Sequence, residues 1–382
     1  MTNTILPIRL LCVVVGTLFL LAAPERATAE PPIRVAIVGL VHGHVKGFLA
    51  ALPGHQAATL VAIVEPQEAL AKDYAAKYHL DAKLFYTDLE KMLVEQHPDA
   101  VLVYTTIADH RKVIEAAARH GVSSMVEKPL TTTLEDAVAI RAVARGSGTH
   151  RQPVQVLVNY ETTWYASNQE VIAQAAAGKF GELRKVVVHD GHEGPKEIGV
   201  GPEWLPWLTD PAQNGAGALF DFGCYGADLM TVLMHGQSPV SVTAVTQTDK
   251  PEIYPRVDDD ATVILRYPKA QAVLMPSWNW SFARKDMEVY GNAGYSITVG
   301  ADRVRVRYRG EKAEPDAPLT APPLAPAQHD SLSYLAAVLQ GHVQPDGDLS
   351  SLETNVVVMQ ILDAALRSAQ SGKTITLTPL PQ

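Results

Sequence analysis

The first apolar stretch after the N-terminal segment reads Ile33-Arg34-Val35-Ala36-Ile37-Val38-Gly39-Leu40-Val41-His42-Gly43-His44. An apolar strand that delivers glycine to a tight turn is typical of nucleotide-binding sheets. The turn departs from the G-x-G-x-x-G pattern, because Val41 and His44 occupy the second and third glycine positions. We expect residues 39 to 44 to bind a dinucleotide, with Gly43 giving its backbone access to the phosphates. A plain strand, turn and helix without a nucleotide is the alternative.

Strands and helices alternate from Ile33 to about Gln152, which predicts a doubly wound parallel sheet of the Rossmann type. The predicted strands are Ile33–Val38, Thr59–Val64, Leu84–Tyr86, Ala100–Tyr104 and Ser123–Val126. The predicted helices are Gln67–Tyr78, Asp88–Glu95 and His110–His120, the last of which Gly121 ends. Residues Arg145–Thr149 are the predicted linker, so the nucleotide-binding domain is expected to span residues 30–150.

Strand-like runs dominate residues 151–382, after a single predicted helix at Trp164–Ala177. These runs are Arg184–His189, Val240–Gln247, Ala261–Tyr267, Ala272–Trp278 and Asp286–Tyr290. Because few helices separate them, the pattern predicts an α+β domain with a large, mostly antiparallel sheet. Residues Pro315–Ala327 are predicted to form an extended loop, and helices are predicted at Leu332–Leu339 and Leu352–Ser368. The fold class is therefore α/β with two domains.

The N-terminal segment has the pattern of a secretory signal peptide. Arg9 precedes the 14 apolar residues Leu10–Ala23, and Ala27-Thr28-Ala29 fits a cleavage site. A membrane anchor is the alternative, but a spanning helix needs roughly 20 apolar residues. We expect residues 1–29 to be removed, and the protein to be periplasmic or secreted without stable membrane insertion.

The composition of the remaining chain excludes several classes of partner. Without residues 1–29 it keeps 30 basic and 40 acidic residues, a formal charge of −10 with neutral histidines. This balance argues against nucleic acid and anionic membranes as partners. Cys224 is the only cysteine left, so no intrachain disulfide forms.

Polar residues follow three predicted strands at the edge where open α/β sheets bind ligands. Glu65 comes 26 residues after Gly39, where a carboxylate accepts from an adenosine ribose hydroxyl and repels a 2′-phosphate. This spacing favours NAD over NADP, whereas a helix-capping glutamate is the alternative. Thr105, Thr106 and His110 follow the fourth strand, and His110 is alternatively a surface residue at the start of a helix.

The segment Met125-Val126-Glu127-Lys128-Pro129-Leu130 places a charged pair directly after the fifth strand. A lysine near a bound nicotinamide donates to a substrate hydroxyl or polarises a carbonyl. Glu127 either orients Lys128 or is its solvated partner. The segment therefore indicates a catalytic lysine at the edge of a nucleotide-binding sheet.

A second motif, Gly215-Ala-Gly-Ala-Leu-Phe-Asp221-Phe-Gly-Cys-Tyr225-Gly-Ala-Asp228, completes a resemblance. Together with the glycine turn, Thr105, His110 and Glu127-Lys128-Pro129, it resembles the glucose-fructose oxidoreductase and inositol dehydrogenase family (Gfo/Idh/MocA). The resemblance covers nearly the whole mature chain. It implies a Rossmann domain with NAD or NADP, a sugar or cyclitol facing the nicotinamide, and a second domain whose open sheet often mediates homo-oligomers.

The resemblance also implies roles for three residues. Lys128 and Asp221 become active-site residues, and Tyr225 stands where the family has its catalytic histidine. Tyrosine has an unperturbed pKa of about 10, so it acts as a base near neutral pH only if a neighbour such as Lys128 lowers that pKa.

The residues before the second motif are candidates for the substrate site. His192 and Glu193 are expected to contact polyol hydroxyls or to assist proton transfer, and Tyr160 is a further substrate candidate. No metal is expected at His189–Lys196, because alternation along a strand splits such a cluster between two faces. Four tryptophans either stack on a sugar or pack internally, namely Trp204, Trp207, Trp278 and Trp280. Arg284-Lys285 is expected to be a solvated or interface pair.

Three functions are consistent with these features. The first is an exported NAD-dependent oxidoreductase that transfers hydride between nicotinamide and a carbinol carbon of a carbohydrate or polyol. The second is NAD-dependent glycoside cleavage by transient oxidation and elimination, which consumes no cofactor. The third is a non-catalytic sugar-binding protein that keeps the fold, suggested by the degraded glycine turn and the missing histidine.

Overall fold

The first sheet has six parallel strands, β1 (Ile33–Val38), β2 (Ala58–Val64), β3 (Phe85–Tyr86), β4 (Ala100–Val103), β5 (Ser123–Glu127) and β6 (Val156–Asn159). Their order in space is β3-β2-β1-β4-β5-β6, the order of dinucleotide-binding folds. The computed structural model that shows this describes residues 1, 30–146, 153–378 and 380. Residues 2–29 of the predicted signal peptide and residues 147–149 of the predicted linker lie outside the described residues.

Helices cover this sheet on both faces, namely α1 (Val45–Ala51), α2 (Glu68–Tyr78), α3 (Leu89–Gln96), α4 (His110–Arg119) and α5 (Leu134–Ala144). Because the sheet is covered on both faces, its central strands are apolar without alternation, and all four residues of β4 are buried. Side chains fix where the helices begin. Asp88 accepts from the Lys91 N–H at 2.7 Å, and Thr133 caps α5 through the Asp136 N–H.

Strand β6 corrects the predicted domain boundary. It pairs in parallel with β5, with Asn159 opposite Glu127. The sequence analysis ended the first domain at residue 150, because the glycine-rich linker lies there. The first sheet therefore extends past residue 150, and Asn159 joins the edge where its functional residues lie.

The second sheet has nine strands, β7 (Leu183–Gly191), β8 (Ser241–Gln247), β9 (Asp260–Arg266), β10 (Gln271–Ser277), β11 (Arg284–Gly291), β12 (Gly294–Val299), β13 (Arg303–Tyr308), β14 (Leu319–Thr320) and β15 (Ile375–Thr376). Their order is β14-β13-β12-β11-β7-β10-β9-β8-β15. All neighbours are antiparallel except β7 and β10, which confirms the expected architecture. Strand β9 alternates buried and exposed residues, as expected for a sheet with one open face.

Seven helices complete the described part of the chain, α6 (Ala166–Ala176), α7 (Leu205–Leu208), α8 (Pro211–Asn214), α9 (Ala218–Asp221), α10 (Gly223–Leu233), α11 (Ser331–Leu339) and α12 (Leu352–Ser371). Helix α12 links the two sheets. It packs against β8, α10 and α5, and the preceding Ser351 bridges to Leu157 of β6. None of the helices in the described part of the chain is long and apolar enough to cross a membrane.

Several predicted element boundaries were wrong. Leu84 ends a 3-10 turn rather than starting a strand, and Trp164 ends another, so α6 begins at Ala166. Strands β12 and β13 were missed, because arginines alternate along β13 and resemble an exposed loop. The predicted loop Pro315–Ala327 contains the two-residue strand β14.

Candidate active site

The turn after β1 requires glycine at its first position. Gly39 has φ +85°, and a Cβ there would lie within 3 Å of the Thr105 side chain and of the backbone of Tyr104 and Thr105. Its N–H donates to the Val64 carbonyl at 2.8 Å. The turn is therefore packed tightly against the ends of β2 and β4, as the opening sequence predicts.

Glu65 holds this turn in place. One carboxylate oxygen accepts from the Leu40 N–H at 2.8 Å, and the other accepts from the Gln67 N–H at 2.9 Å. The side chain is 2% exposed, and burial raises the pKa of Glu65. The Gln67 contact, just before α2, matches the capping alternative, while the expected ribose contact stays a prediction.

Trp204 covers the turn. A Cβ on Gly43 would lie 2.1 Å from the Trp204 ring, so glycine is what allows the indole to approach. The His42 ring lies 4.7 Å from the Trp204 ring, and Trp207 donates from Nε1 to the Val41 carbonyl at 3.3 Å. Gly43 therefore allows another group to approach its backbone closely, as the sequence predicts. In this structure the group that does so is the Trp204 indole rather than a phosphate.

Two buried polar atoms in this region lack partners within the described residues, Trp204 Nε1 and His110 Nε2. Native proteins rarely leave buried polar atoms unsatisfied. Trp204 Nε1 is a donor, whereas His110 Nε2 is an acceptor, because His110 Nδ1 faces a carbonyl and carries the proton of the neutral ring. The tight turn at Gly39, at the carboxyl end of β1 and against the end of β4, fits a dinucleotide along this edge of the sheet. The residues that would hold it are Gly39, Val41, His42, Gly43, His44, Thr105 and Thr106.

His110 lies inside the protein rather than on its surface. It is fully buried, and its Nδ1 contacts the Leu130 carbonyl at 3.0 Å. Burial lowers the pKa of His110 to about 4, so the ring is neutral near pH 7. The neighbouring hydroxyls bond locally, Thr105 to the Thr106 carbonyl and Thr106 to Asp109. His110 therefore supports the segment that follows Lys128.

Lys128 and Asp221 form a buried ion pair. Lys128 Nζ donates to the Asp221 carboxylate and, at 2.9 Å, to the Asp221 carbonyl, and Trp278 Nε1 donates to the other carboxylate oxygen at 3.0 Å. Burial lowers the pKa of Lys128, but the Asp221 carboxylate and other neighbouring groups together outweigh it, so the net pKa is raised. Burial likewise raises the pKa of Asp221, but Lys128, His192 and Trp278 together outweigh it, so the net pKa is lowered. Both groups are therefore charged.

Tyr225 lies beside this pair. Lys128 Nζ is 5.1 Å from the centre of its ring, and Lys285 Nζ is 5.2 Å from the same point. Burial nevertheless raises the pKa of Tyr225 well above its usual range. The condition stated from the sequence, that Lys128 lowers this pKa, is not met, so the phenol is protonated near neutral pH.

The structure adds three residues that the sequence analysis did not place in the site. Lys285 pairs with Glu161, and it lies opposite Asp190 across β11 and β7. Asp190 is 3% exposed, and burial raises its pKa well above the usual range. The expectation of a solvated or interface pair was wrong for Lys285. Charged residues at paired positions of adjacent strands are the signal that would have revealed it.

Of the three residues predicted to contact the substrate, one reaches the site and two make contacts within the protein. His192 reaches the site, because its ring meets Phe222 edge-on at 4.9 Å and its pKa is lowered by burial. Glu193 accepts from Lys250 Nζ through its carbonyl. Tyr160 packs against the Tyr225 ring, and its hydroxyl donates to Asn355 at 2.8 Å, so that hydroxyl is engaged within the protein rather than with a substrate.

Glu127 does not orient Lys128 through a hydrogen bond. Its carboxylate contacts His44 Nδ1 at 2.9 Å and accepts from Asn159 Nδ2 at 3.0 Å. Burial raises the pKa of Glu127, but these partners outweigh it and the net pKa is lowered. Glu127 therefore faces the glycine turn while Lys128 faces Asp221.

The fold and this site define a nucleotide-dependent oxidoreductase with a Rossmann domain and a sheet domain. Two family models match the chain, one described as an oxidoreductase family with an NAD-binding Rossmann fold over residues 33–156, and the GFO/IDH/MocA C-terminal domain over residues 168–296. The chain belongs to the Gfo/Idh/MocA oxidoreductase family. This confirms the class expected from the sequence, an oxidoreductase acting on CH–OH groups.

Relatives with known names support the same assignment. A trans-1,2-dihydrobenzene-1,2-diol dehydrogenase of Xenopus tropicalis is 23% identical over 84% of this chain and 92% of its own length. A 1,5-anhydro-D-fructose reductase of Ensifer adhaerens is 25% identical over 72% of this chain and 80% of its own.

Solved structures share the fold. The aldose-aldose oxidoreductase of Caulobacter crescentus, complexed with glycerol, has a TM-score of 0.74 at 24% identity, covering 91% of this chain and all of that one. An inositol dehydrogenase homologue of Azotobacter vinelandii, complexed with NAD⁺, has a TM-score of 0.75 at 21% identity, covering 91% and 98%.

Proposed function

We propose that this enzyme interconverts a carbinol and a carbonyl carbon of a carbohydrate or related polyol, with Tyr225 as the proton-transferring residue. The observation that carries the proposal is the buried Lys128–Asp221 pair beside the Tyr225 ring. The relatives named as acting on an anhydrofructose and on a cyclic diol support this substrate class.

The protein's own groups handle the oxygen and its proton. Tyr225 is protonated near neutral pH, so it is poised to donate a proton to an oxygen that gains negative charge. Lys128, fixed by Asp221, stabilises that charge. A bound nicotinamide would supply or accept the hydride. A protonated Tyr225 suits the direction in which a carbonyl is reduced.

Substitution of the phenol tests this role. Tyr225→Phe should lower kcat/KM on a substrate found by screening sugars and polyols by about 10²- to 10⁴-fold, the usual contribution of a positioned acid or base. NAD affinity should stay unchanged. Tyr290→Phe is the matched control, because Tyr290 lies on β11 and its hydroxyl donates to Glu288 at 2.6 Å. Unchanged turnover in Tyr225→Phe would remove Tyr225 from the chemistry.

NAD rather than NADP is proposed as the cofactor. Glu65 places a carboxylate at the end of β2, and such a group disfavours a 2′-phosphate nearby. Glu65→Gln should narrow the difference between the dissociation constants for NAD and NADP, measured by calorimetry. Equal affinity of the unmodified enzyme for both nucleotides would contradict the proposal.

A redox-neutral glycoside cleavage is the second candidate, favoured by the position of His192. Its ring lies against Phe222, and its lowered pKa keeps it neutral and able to take a proton from carbon. Turnover in heavy water should then place deuterium at the carbon beside the oxidised centre. Turnover without deuterium incorporation would contradict glycoside cleavage and favour simple oxidoreduction.

Two further features complete the proposal. Export with loss of residues 1–29 rests on the signal-peptide pattern, and N-terminal sequencing of protein secreted by its natural host tests it. Homo-oligomers are proposed to form through the open face of the second sheet, which carries exposed apolar residues such as Val245 and Ile264.

A further inference from the structure

Three potential metal ligands meet at the glycine turn. Each of His42, His44 and Glu127 offers a ligand atom, and the three atoms all lie within 4.8 Å of one another. The two histidines flank Gly43 on the turn, whereas Glu127 ends β5, so the fold rather than local sequence brings the three together. Tetrahedral sites with nitrogen and oxygen ligands place those atoms about 3.4 Å apart, so the half-exposed His44 ring would have to rotate toward the other two ligands.

We propose that His42, His44 and Glu127 bind a divalent transition-metal ion such as Zn²⁺. Two imidazoles and one carboxylate suit such an ion rather than Ca²⁺ or Mg²⁺, which prefer oxygen ligands. Three protein ligands leave a coordination position for water or an anionic oxygen, as in catalytic rather than structural zinc sites. A phosphate oxygen of a dinucleotide bound at the same turn would be such a ligand, so the ion and the nucleotide would share His42 and His44.

Two contacts already join the members of this cluster. The backbone N–H of His44 donates to His42 Nδ1 over a long distance of 3.4 Å, and His44 Nδ1 contacts Glu127 at 2.9 Å. A metal ion that took these atoms as ligands would replace both contacts.

The surroundings resemble the shell that supports metal ligands. Asn159 donates to the second Glu127 oxygen at 3.0 Å and is itself held by Trp164 Nε1 at 3.0 Å. The Trp204 and Trp207 rings lie 4.7 and 5.4 Å from the His42 ring and limit its rotation. A pocket of about 520 Å³, lined partly by His44 and Glu127, gives an ion a path from solvent.

Metal titration of the stripped full-length protein tests the proposal without a substrate or a nucleotide. After chelation and dialysis, Zn²⁺ binding is measured by calorimetry and by elemental analysis, and Co²⁺ by its visible absorption. We expect one ion per chain and a Co²⁺ spectrum of low coordination number. His44→Ala should weaken Zn²⁺ binding at least tenfold, roughly the range seen when metal-site partners are removed.

The controls separate loss of ligands from loss of fold. His44 is 40% exposed, so its removal should leave the circular dichroism spectrum and Tm nearly unchanged. Glu127→Gln keeps the side-chain shape and should also weaken binding. His189→Ala is the matched control, because His189 pairs with Asp286 at 3.0 Å in a similar histidine–carboxylate contact. Absence of stoichiometric binding, or equal Zn²⁺ affinity in His44→Ala and His189→Ala, would overturn the proposal.

Discussion

At the residue scale, two glycines near the nucleotide-binding edge of the sheet should respond in opposite ways to replacement by alanine. Gly39 has a positive φ and no room for a Cβ, whereas Gly47, inside α1, has no atom within 4 Å of a Cβ. Gly39→Ala should lower the free energy of unfolding by about 1–3 kcal/mol, the cost of strained backbone. Gly47→Ala should raise it by up to about 1 kcal/mol through helix propensity. Urea unfolding of both variants checks this, and equal effects would contradict the turn geometry.

A single carboxylate links stability to pH. Asp348 accepts from Tyr334 Oη, and burial raises the pKa of Asp348 to about 6. Because the folded pKa exceeds the unfolded pKa of about 3.9, this residue's contribution is greatest below pH 4 and is lost as pH rises through 6. Relative to Asp348→Asn, the wild type should lose about 2 kcal/mol between pH 4 and pH 7. Urea titrations at several pH values measure the difference, and a difference that does not vary with pH would be incompatible with a carboxyl whose pKa is raised on folding.

At the element scale, the segment Glu203–Leu208 must move before a nucleotide reaches the turn. The Trp204 indole rests on Gly43, and Glu203 pairs with Lys46 of α1. Removing part of this cover should strengthen NAD binding, since displacing a half-buried ring costs roughly 1–2 kcal/mol. Trp204→Ala should therefore lower the NAD dissociation constant about 5- to 30-fold by calorimetry. Trp280→Ala, which changes a half-buried tryptophan in the connection between β10 and β11, should leave NAD binding unchanged. Weaker NAD binding in Trp204→Ala would mean that the indole is part of the nucleotide site.

The same scale shows what the sequence could predict. The first five strands of the parallel sheet were predicted within one or two residues, because apolar runs and glycine turns specify them locally. Lys128 and Asp221 could also be predicted as site residues from the sequence, because each lies in a recognisable motif. Lys285, Asp190 and the His42–His44–Glu127 cluster were not, because only strand register and sheet order bring these residues together. Trp204 was identified as a packing candidate, but its partner Gly43 lies 161 residues earlier in the chain.

At the scale of the whole molecule, the open face of the second sheet predicts an oligomer. Val245 is 60% exposed on β8 and Ile264 is 42% exposed on β9, and Val273 of β10 lies opposite Ile264. A stable interface buries about 800 Å² per partner and does not tolerate an unpaired central charge. Ile264→Asp should therefore reduce the molar mass found by light scattering toward that of a monomer. Phe282→Asp, which alters an exposed residue outside the strands, should leave the mass unchanged, and a monomeric wild type would refute the interface.

The central claim is that a nicotinamide dinucleotide binds at the Gly39 turn and exchanges hydride beside Lys128. The most direct measurement mixes the NAD-loaded enzyme with sugars and polyols and records the absorbance of the reduced nicotinamide, in the wild type and in Lys128→Met. The account predicts that NAD binds both proteins, and that the reduced band appears only in the wild type. Failure of the wild type to bind either NAD or NADP, or equal reduction in Lys128→Met, would contradict it.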